Sequence, residues 1–192
     1  MVRNPERRTA LIDAAIEVLA RDGARGLTFR AVDTEAEVPT GTASNYFASR
    51  DDLFTQVGGR VRLRMTPDPH QVTEAMSAPP SRELVTELMV WLVERMAAER
   101  TGYLAMLELR LEATRRPELR AQLHHSLRAE LAENLRFHED AGLPGGADHV
   151  LTLYFAMTGL LLDHLTTPGI LEGRGPTERL VENLVQLIIP PE

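Results

Sequence analysis

The apolar positions of this chain recur with a helical period almost from its start. In "RRTALIDAAIEVLARDG", Leu11, Ile12, Ala15, Ile16, Leu19 and Ala20 share one side, with Asp13, Glu17 and Arg21 between them. Gly23 is expected to stop that helix. A shorter element follows, with Thr28 as N-cap and Phe29, Val32 and Ala36 on its apolar side. Pro39 opens a third helix through "TGTASNYF", since proline suits a first turn. A fourth starts after the cap Ser49, carries Asp51 and Asp52 in its first turn, and runs to about residue 64. The proline-rich segment 66–81 reads as a long loop or boundary.

Five longer helices are predicted beyond it. Leu84, Leu88, Trp91, Leu92 and Met96 mark the first, and "GYLAMLELRLEATR" is the second. The third puts Leu119, Leu123, Leu127, Leu131 and Leu135 on one narrow stripe. "ADHVLTLYFAMTGLLLDHLTT" is apolar on nearly every side, and "TERLVENLVQLII" is last. No strand alternation interrupts the series. The fold class is all-α, about nine helices, with a small N-terminal domain (1–49), a connecting helix (50–64) and a C-terminal bundle (65–192).

Composition narrows the chemistry. With 43% hydrophobic residues the 192-residue chain can bury a core without cross-links. The absence of cysteine excludes disulfides and thiolate chemistry, and is consistent with a cytoplasmic protein. The run "VLTLYFAMTGLLL" is too short, and too closely flanked by polar groups, to span a membrane. Net charge is -7, unevenly spread: residues 1–64 hold ten arginines against nine acids, and residues 65–192 hold eleven against nineteen. Any nucleic-acid contact must therefore rest on placed groups and not on bulk charge.

The placed groups are in residues 28–50. Two short helices joined by a tight turn, the second small and polar, suit a helix-turn-helix. Thr40, Thr42, Ser44, Asn45 and Tyr46 offer donors and acceptors to base edges and phosphates, and Gly41 permits close backbone approach. Arg50 is a candidate phosphate contact. Arg30, beside the Thr28 cap, is counted with them. The alternative is a capped surface helix without DNA. Phe47 reads as core.

The order "AAIEVLARDGARGLTFRAV" then "VPTGTASNYFASRDDLF" resembles the N-terminal domain of the TetR/AcrR transcriptional regulators over residues 7–54, about a quarter of the chain. The resemblance implies a three-helix DNA-binding domain and a C-terminal domain for a small-molecule effector and homodimerisation. It also implies that Tyr46 and Arg50 touch phosphate, that Thr40, Gly41, Thr42, Ser44 and Asn45 face the groove, and that Thr28 caps and meets phosphate. Three positions depart from the family pattern. Asp33 stands where a small residue is usual, Glu37 where glycine takes a left-handed conformation, and Thr40 where a basic residue is frequent. Asp33, Glu35 and Glu37 put negative charge near the expected DNA face.

In the bundle, residues 148–166 are too apolar for one core to hide, so pairing with a second copy is expected. Leu153, Leu160, Leu161, Leu180, Leu184 and Ile188 are its candidate residues, and by resemblance the last two helices are the usual dimer face. Two such subunits suit a palindromic double-stranded operator. Effector candidates are Trp91, Met96, Met106, Tyr154 and Met157, with Arg110 for an anionic group unless it pairs with Glu108 or Glu112. The histidines lack ligand spacing, and no nucleophile elbow, HExxH motif or paired-carboxylate site stands out, so no metal, cofactor or catalytic group is expected. The leading reading is a ligand-responsive dimeric repressor. The alternative is a helical interaction or carrier module that has lost DNA binding.

Overall fold

The computed structural model describes residues 4–173 and 175–191. Ten α-helices occur among them: α1 (Pro5–Gly26), α2 (Phe29–Glu35), α3 (Thr42–Tyr46), α4 (Arg50–Met65), α5 (Pro69–Ala75), α6 (Arg82–Ala98), α7 (Arg100–Ala113), α8 (Pro117–Asp140), α9 (Ala147–Thr166) and α10 (Thr177–Ile188). A 3-10 turn (Pro168–Leu171) lies between the last two. Nine helices stand where the periodicity puts them. The tenth, α5, is a seven-residue helix inside the proline-rich stretch, capped by Asp68 and carrying no buried residue. An element with no apolar face leaves no periodicity to find.

Two compact units form, and they do not follow chain order. The first comprises residues 1–66 and 99–127, the second 67–98 and 128–192. The boundary expected near residue 64 is thus only half of the division, because α7 returns to pack on α1 and α4.

The first unit is built on α1. Asn4 caps it by accepting from the Glu6 and Arg7 amides, and Pro5 fits its first turn. Leu11, Ala14, Ala15, Val18 and Leu19 form the buried stripe of this helix. Against them pack Leu53, Phe54, Val57 and Val61 of α4, and Ala105, Leu109 and Ala113 of α7, in one apolar cluster. Polar groups frame it: Arg60 holds Asp13 through two bonds of 2.8 Å, and Arg64 meets Glu99 at 2.6 Å. Gly23 breaks α1 with φ 70, and one further turn leads to Gly26.

In the second unit α10 packs on α6 and α9. Leu84, Val85 and Leu88 of α6, Leu153, Met157, Leu161 and Leu165 of α9, and Val181, Val185 and Ile189 at α10 are buried. His138 is buried at the end of α8, its Nε2 donating to the Pro144 carbonyl at 3.0 Å. No helix among the described residues is long and apolar enough to cross a membrane.

Candidate nucleic-acid interface

The segment between α2 and α3 is built by its hydrogen bonds. The Thr28 hydroxyl accepts from the Ala31 amide at 3.1 Å and starts α2. α2 ends in a Schellman motif: the Val38 amide donates to the Asp33 carbonyl and the Glu37 amide to the Thr34 carbonyl. Glu37 takes the left-handed position of that motif, with φ 52, and is the one non-glycine residue with positive φ among those described. The turn therefore keeps the geometry glycine favours, at a steric cost to the glutamate. Glu37→Gly is expected to stabilise the protein by about 0.5–1 kcal/mol, measured by chemical denaturation. A loss of stability would show that the side chain makes a contact outweighing its backbone cost.

α3 is shorter than its sequence implies. Residues 39–42 form a turn, with the Thr42 amide on the Pro39 carbonyl, and the helix proper begins at Thr42. Gly41 takes φ 94 at the N-cap position, which a side chain would strain. Inward, Ala43 and Phe47 are buried, and Phe47 stacks on Phe29 with ring centroids 6.4 Å apart. Tyr46 is half-buried against the same cluster. Outward, Thr40, Ser44 and Asn45 are exposed. Ser44 Oγ and Asn45 Nδ2 both donate to the Gly41 carbonyl, at 2.8 and 3.0 Å, which leaves the hydroxyl lone pairs and the amide oxygen of those side chains for a ligand. Thr42 instead turns its hydroxyl onto the Pro39 carbonyl. Arg30 is exposed on α2, in an open depression it shares with Thr28, Arg21, Thr34 and Glu35. Hydrogen bonding to Asp22, then Glu35, holds the Arg21 guanidinium more firmly charged.

Arg50 and Asp33 are both engaged with backbone groups of their own chain. Arg50 turns two of its five N–H groups inward. Its Nε donates to the Leu27 carbonyl at 3.0 Å, a terminal nitrogen donates to the Ala24 carbonyl, and the guanidinium lies over the Phe54 ring. The end of α1 offers unpaired carbonyls, and the arginine satisfies them. Glu108 of α7 completes the clasp by accepting from the Ala24 amide at 3.1 Å. Asp33 is not an acid on the DNA face. It is 1% exposed, and its two oxygens accept from the Gly41 and Ala43 amides, each at 2.7 Å. No sequence signal marked this role, because the amides lie eight and ten residues further on.

These helices carry a family signature. Residues 11–57 match the family described as bacterial regulatory proteins, tetR family, and residues 80–191 match the Tetracyclin repressor-like, C-terminal domain. The chain belongs to the TetR family. Among solved structures, the multidrug binding protein EbrR complexed with imidazole shares 31% identity, covers 98% of each chain and has a TM-score of 0.67. A TetR-family member from Streptomyces coelicolor A3 also shares 31%, over 97% of this chain and 99% of its own, with a TM-score of 0.71. EbrR complexed with ethidium shares 30% identity over 97% of this chain and all of its own, with a TM-score of 0.68. No curated protein matches the sequence. As a TetR-family protein the chain is a transcriptional regulator by fold, not an enzyme.

The effector and dimer candidates divide between the units. Met106 and Arg110 belong to the first; Trp91, Met96, Tyr154 and Met157 belong to the second. Met96 and Met157 are buried, whereas Trp91 is half-buried with the Arg95 guanidinium 4.7 Å from its ring centre. Arg110 Nε is buried without a hydrogen-bond partner. The two carboxylates expected for it are engaged elsewhere: Glu108 at the Ala24 amide and Glu112 at Arg116, 2.6 Å away. Of the dimer candidates, Leu153 and Leu161 are each 6% exposed and face their own core. Leu160, Leu180, Leu184 and Ile188 are half-exposed. The exposed large apolar residues of these two helices are Phe155 and Leu162 on α9 and Leu187 on α10, which periodicity does not single out. Among the described residues no cluster of metal-binding side chains occurs.

Proposed function

We propose that this protein is a homodimeric, ligand-responsive repressor that binds a palindromic DNA operator through α3. The observation that carries the reading is the two-sidedness of that five-residue helix. Ala43 and Phe47 anchor it, while Thr40, Ser44 and Asn45 face outward with acceptor atoms still open. A small polar rod seated on a rigid frame is what entry into a major groove requires. Thr28, Arg30 and Tyr46 add phosphate and sugar contacts at its edges, and Gly41 and Thr42 let the backbone come close. Arg50 supports binding by clasping the end of α1.

An effector would act through α7, which belongs to the first unit. EbrR, which is similar along its whole length, is seen with imidazole and with ethidium. In the first unit Arg110 has an unmet donor for an acceptor or anionic group, and Met106 shares its helix; in the second unit Trp91, Met96, Tyr154 and Met157 are the apolar candidates. Arg110 shares α7 with Glu108, which holds the end of α1, so an event on that helix reaches the DNA-reading unit. The dimer would form on α9 and α10.

The test is selection of duplexes from a random-sequence pool, followed by mobility shift. Wild type is expected to enrich a palindrome, and Asn45→Ala with Tyr46→Ala to weaken its binding about 100-fold, two contacts at about 1–3 kcal/mol each. Equal binding by the double variant would remove α3 from the interface.

A further inference from the structure

We infer that Asp33 is a positioning residue for DNA reading, a side chain on α2 that seats α3 by capping it across the turn. The inference rests on the DNA-binding reading above and adds to it the group that sets the angle of the reading helix.

A five-residue helix does not hold itself together in water. Its N-terminal amides need acceptors, and its own cap position cannot supply one, because Gly41 has no side chain and its φ of 94 disfavours any replacement. Asp33 supplies both acceptors at once. Oδ2 takes the Gly41 amide and Oδ1 the Ala43 amide, each at 2.7 Å, the short separation of charge-assisted bonds. No ion pair among the described residues includes this carboxylate, although it is 1% exposed. A buried charge is tolerated only where something compensates it, and here the compensation is two N–H groups at a helix start. The backbone carbonyl of the same residue takes the Val38 amide and closes the turn. Asp33 thus fixes the turn through its main chain and the following helix through its side chain. Thr40, Ser44 and Asn45 inherit their positions from that seat.

The role differs from two simpler ones. An acid that merely repels DNA would weaken binding to every sequence alike. An acid that merely stabilises the domain would act through the folded fraction. A seat acts on discrimination, because misplaced side chains lose base contacts while the electrostatic part of binding remains.

The variants are Asp33→Asn, which keeps the shape and removes one of the two acceptors, and Asp33→Ala. In nitrogen-15 spectra of the DNA-free protein, the Gly41 and Ala43 amides of wild type should be shifted downfield and protected. In Asp33→Asn at least one should move upfield and exchange about tenfold faster, with the amides of α6, α9 and α10 unmoved. The ratio of affinities for the selected palindrome and a scrambled duplex should fall at least about tenfold, with scrambled-duplex binding equal or tighter after loss of a negative charge. Unmoved amides, a parallel rise in both affinities, or a parallel fall that tracks the melting midpoint would each overturn the seat. Failure of wild type to enrich any duplex overturns the DNA reading instead, and the amide spectra tell the two failures apart.

Discussion

A Phe155→Arg, Leu187→Arg double variant is expected to run as a monomer and to lose about a thousandfold in operator affinity. Phe155 is 66% exposed on α9 and Leu187 is 84% exposed on α10, and these two helices pack on each other. Large apolar groups left in water on adjoining helices mark a surface that something covers. A symmetric pair contributing two helices each would bury them in a four-helix contact. An arginine at each position leaves four uncompensated charges in that contact. The DNA effect follows from linkage. On the proposed reading one α3 would read one half-site, and joining two would convert the second binding into an intramolecular step worth about a hundred- to ten-thousandfold. Light scattering and mobility shift on the same samples decide the matter. A variant that stays dimeric places the contact elsewhere, and a monomer with full affinity shows that pairing is not used for reading.

Phe54→Ala is expected to destabilise the protein by about 4 kcal/mol, the usual cost of emptying a fully buried aromatic site. Phe54 is fully buried at the junction of α1, α4 and α7. Its ring lies 5.4 Å from the Arg50 guanidinium and 5.0 Å from that of Arg116. Arg50 holds the end of α1, and Arg116 ties Asp51 of α4 to Glu112 of α7. Removing the ring therefore empties a cavity and also frees two arginines that brace the unit. Phe54→Leu should cost less, about 1–2 kcal/mol, since it keeps most of the volume and forfeits the contacts to the cations. Chemical denaturation measures both. Equal losses for the two variants would mean that volume plays no part.

The local parts of this fold were readable in one dimension. Thr28 and Ser49 cap the helices they were expected to cap, Gly23 breaks α1, and Phe47 is core, because each depends on neighbours within a few residues. What escaped depended on distant partners. Asp33 and Arg50 both read as charges beside DNA, yet each also holds backbone groups, eight to ten and 23 to 26 residues away. The pattern places Leu153 and Leu161 with the dimer face, since a helix apolar all round does not reveal which side its own chain covers. The membership of α7 in the first unit was equally invisible, because the same apolar stripe could have served either core.

The clasp of Glu108 on Ala24 and the burial of Ala105 and Leu109 against α1 make the DNA-reading head discontinuous in sequence. A chimaera joined just after α4 would graft a head without its floor. To exchange operator preference between relatives of this protein, the matching face of α7 has to travel with the first 66 residues.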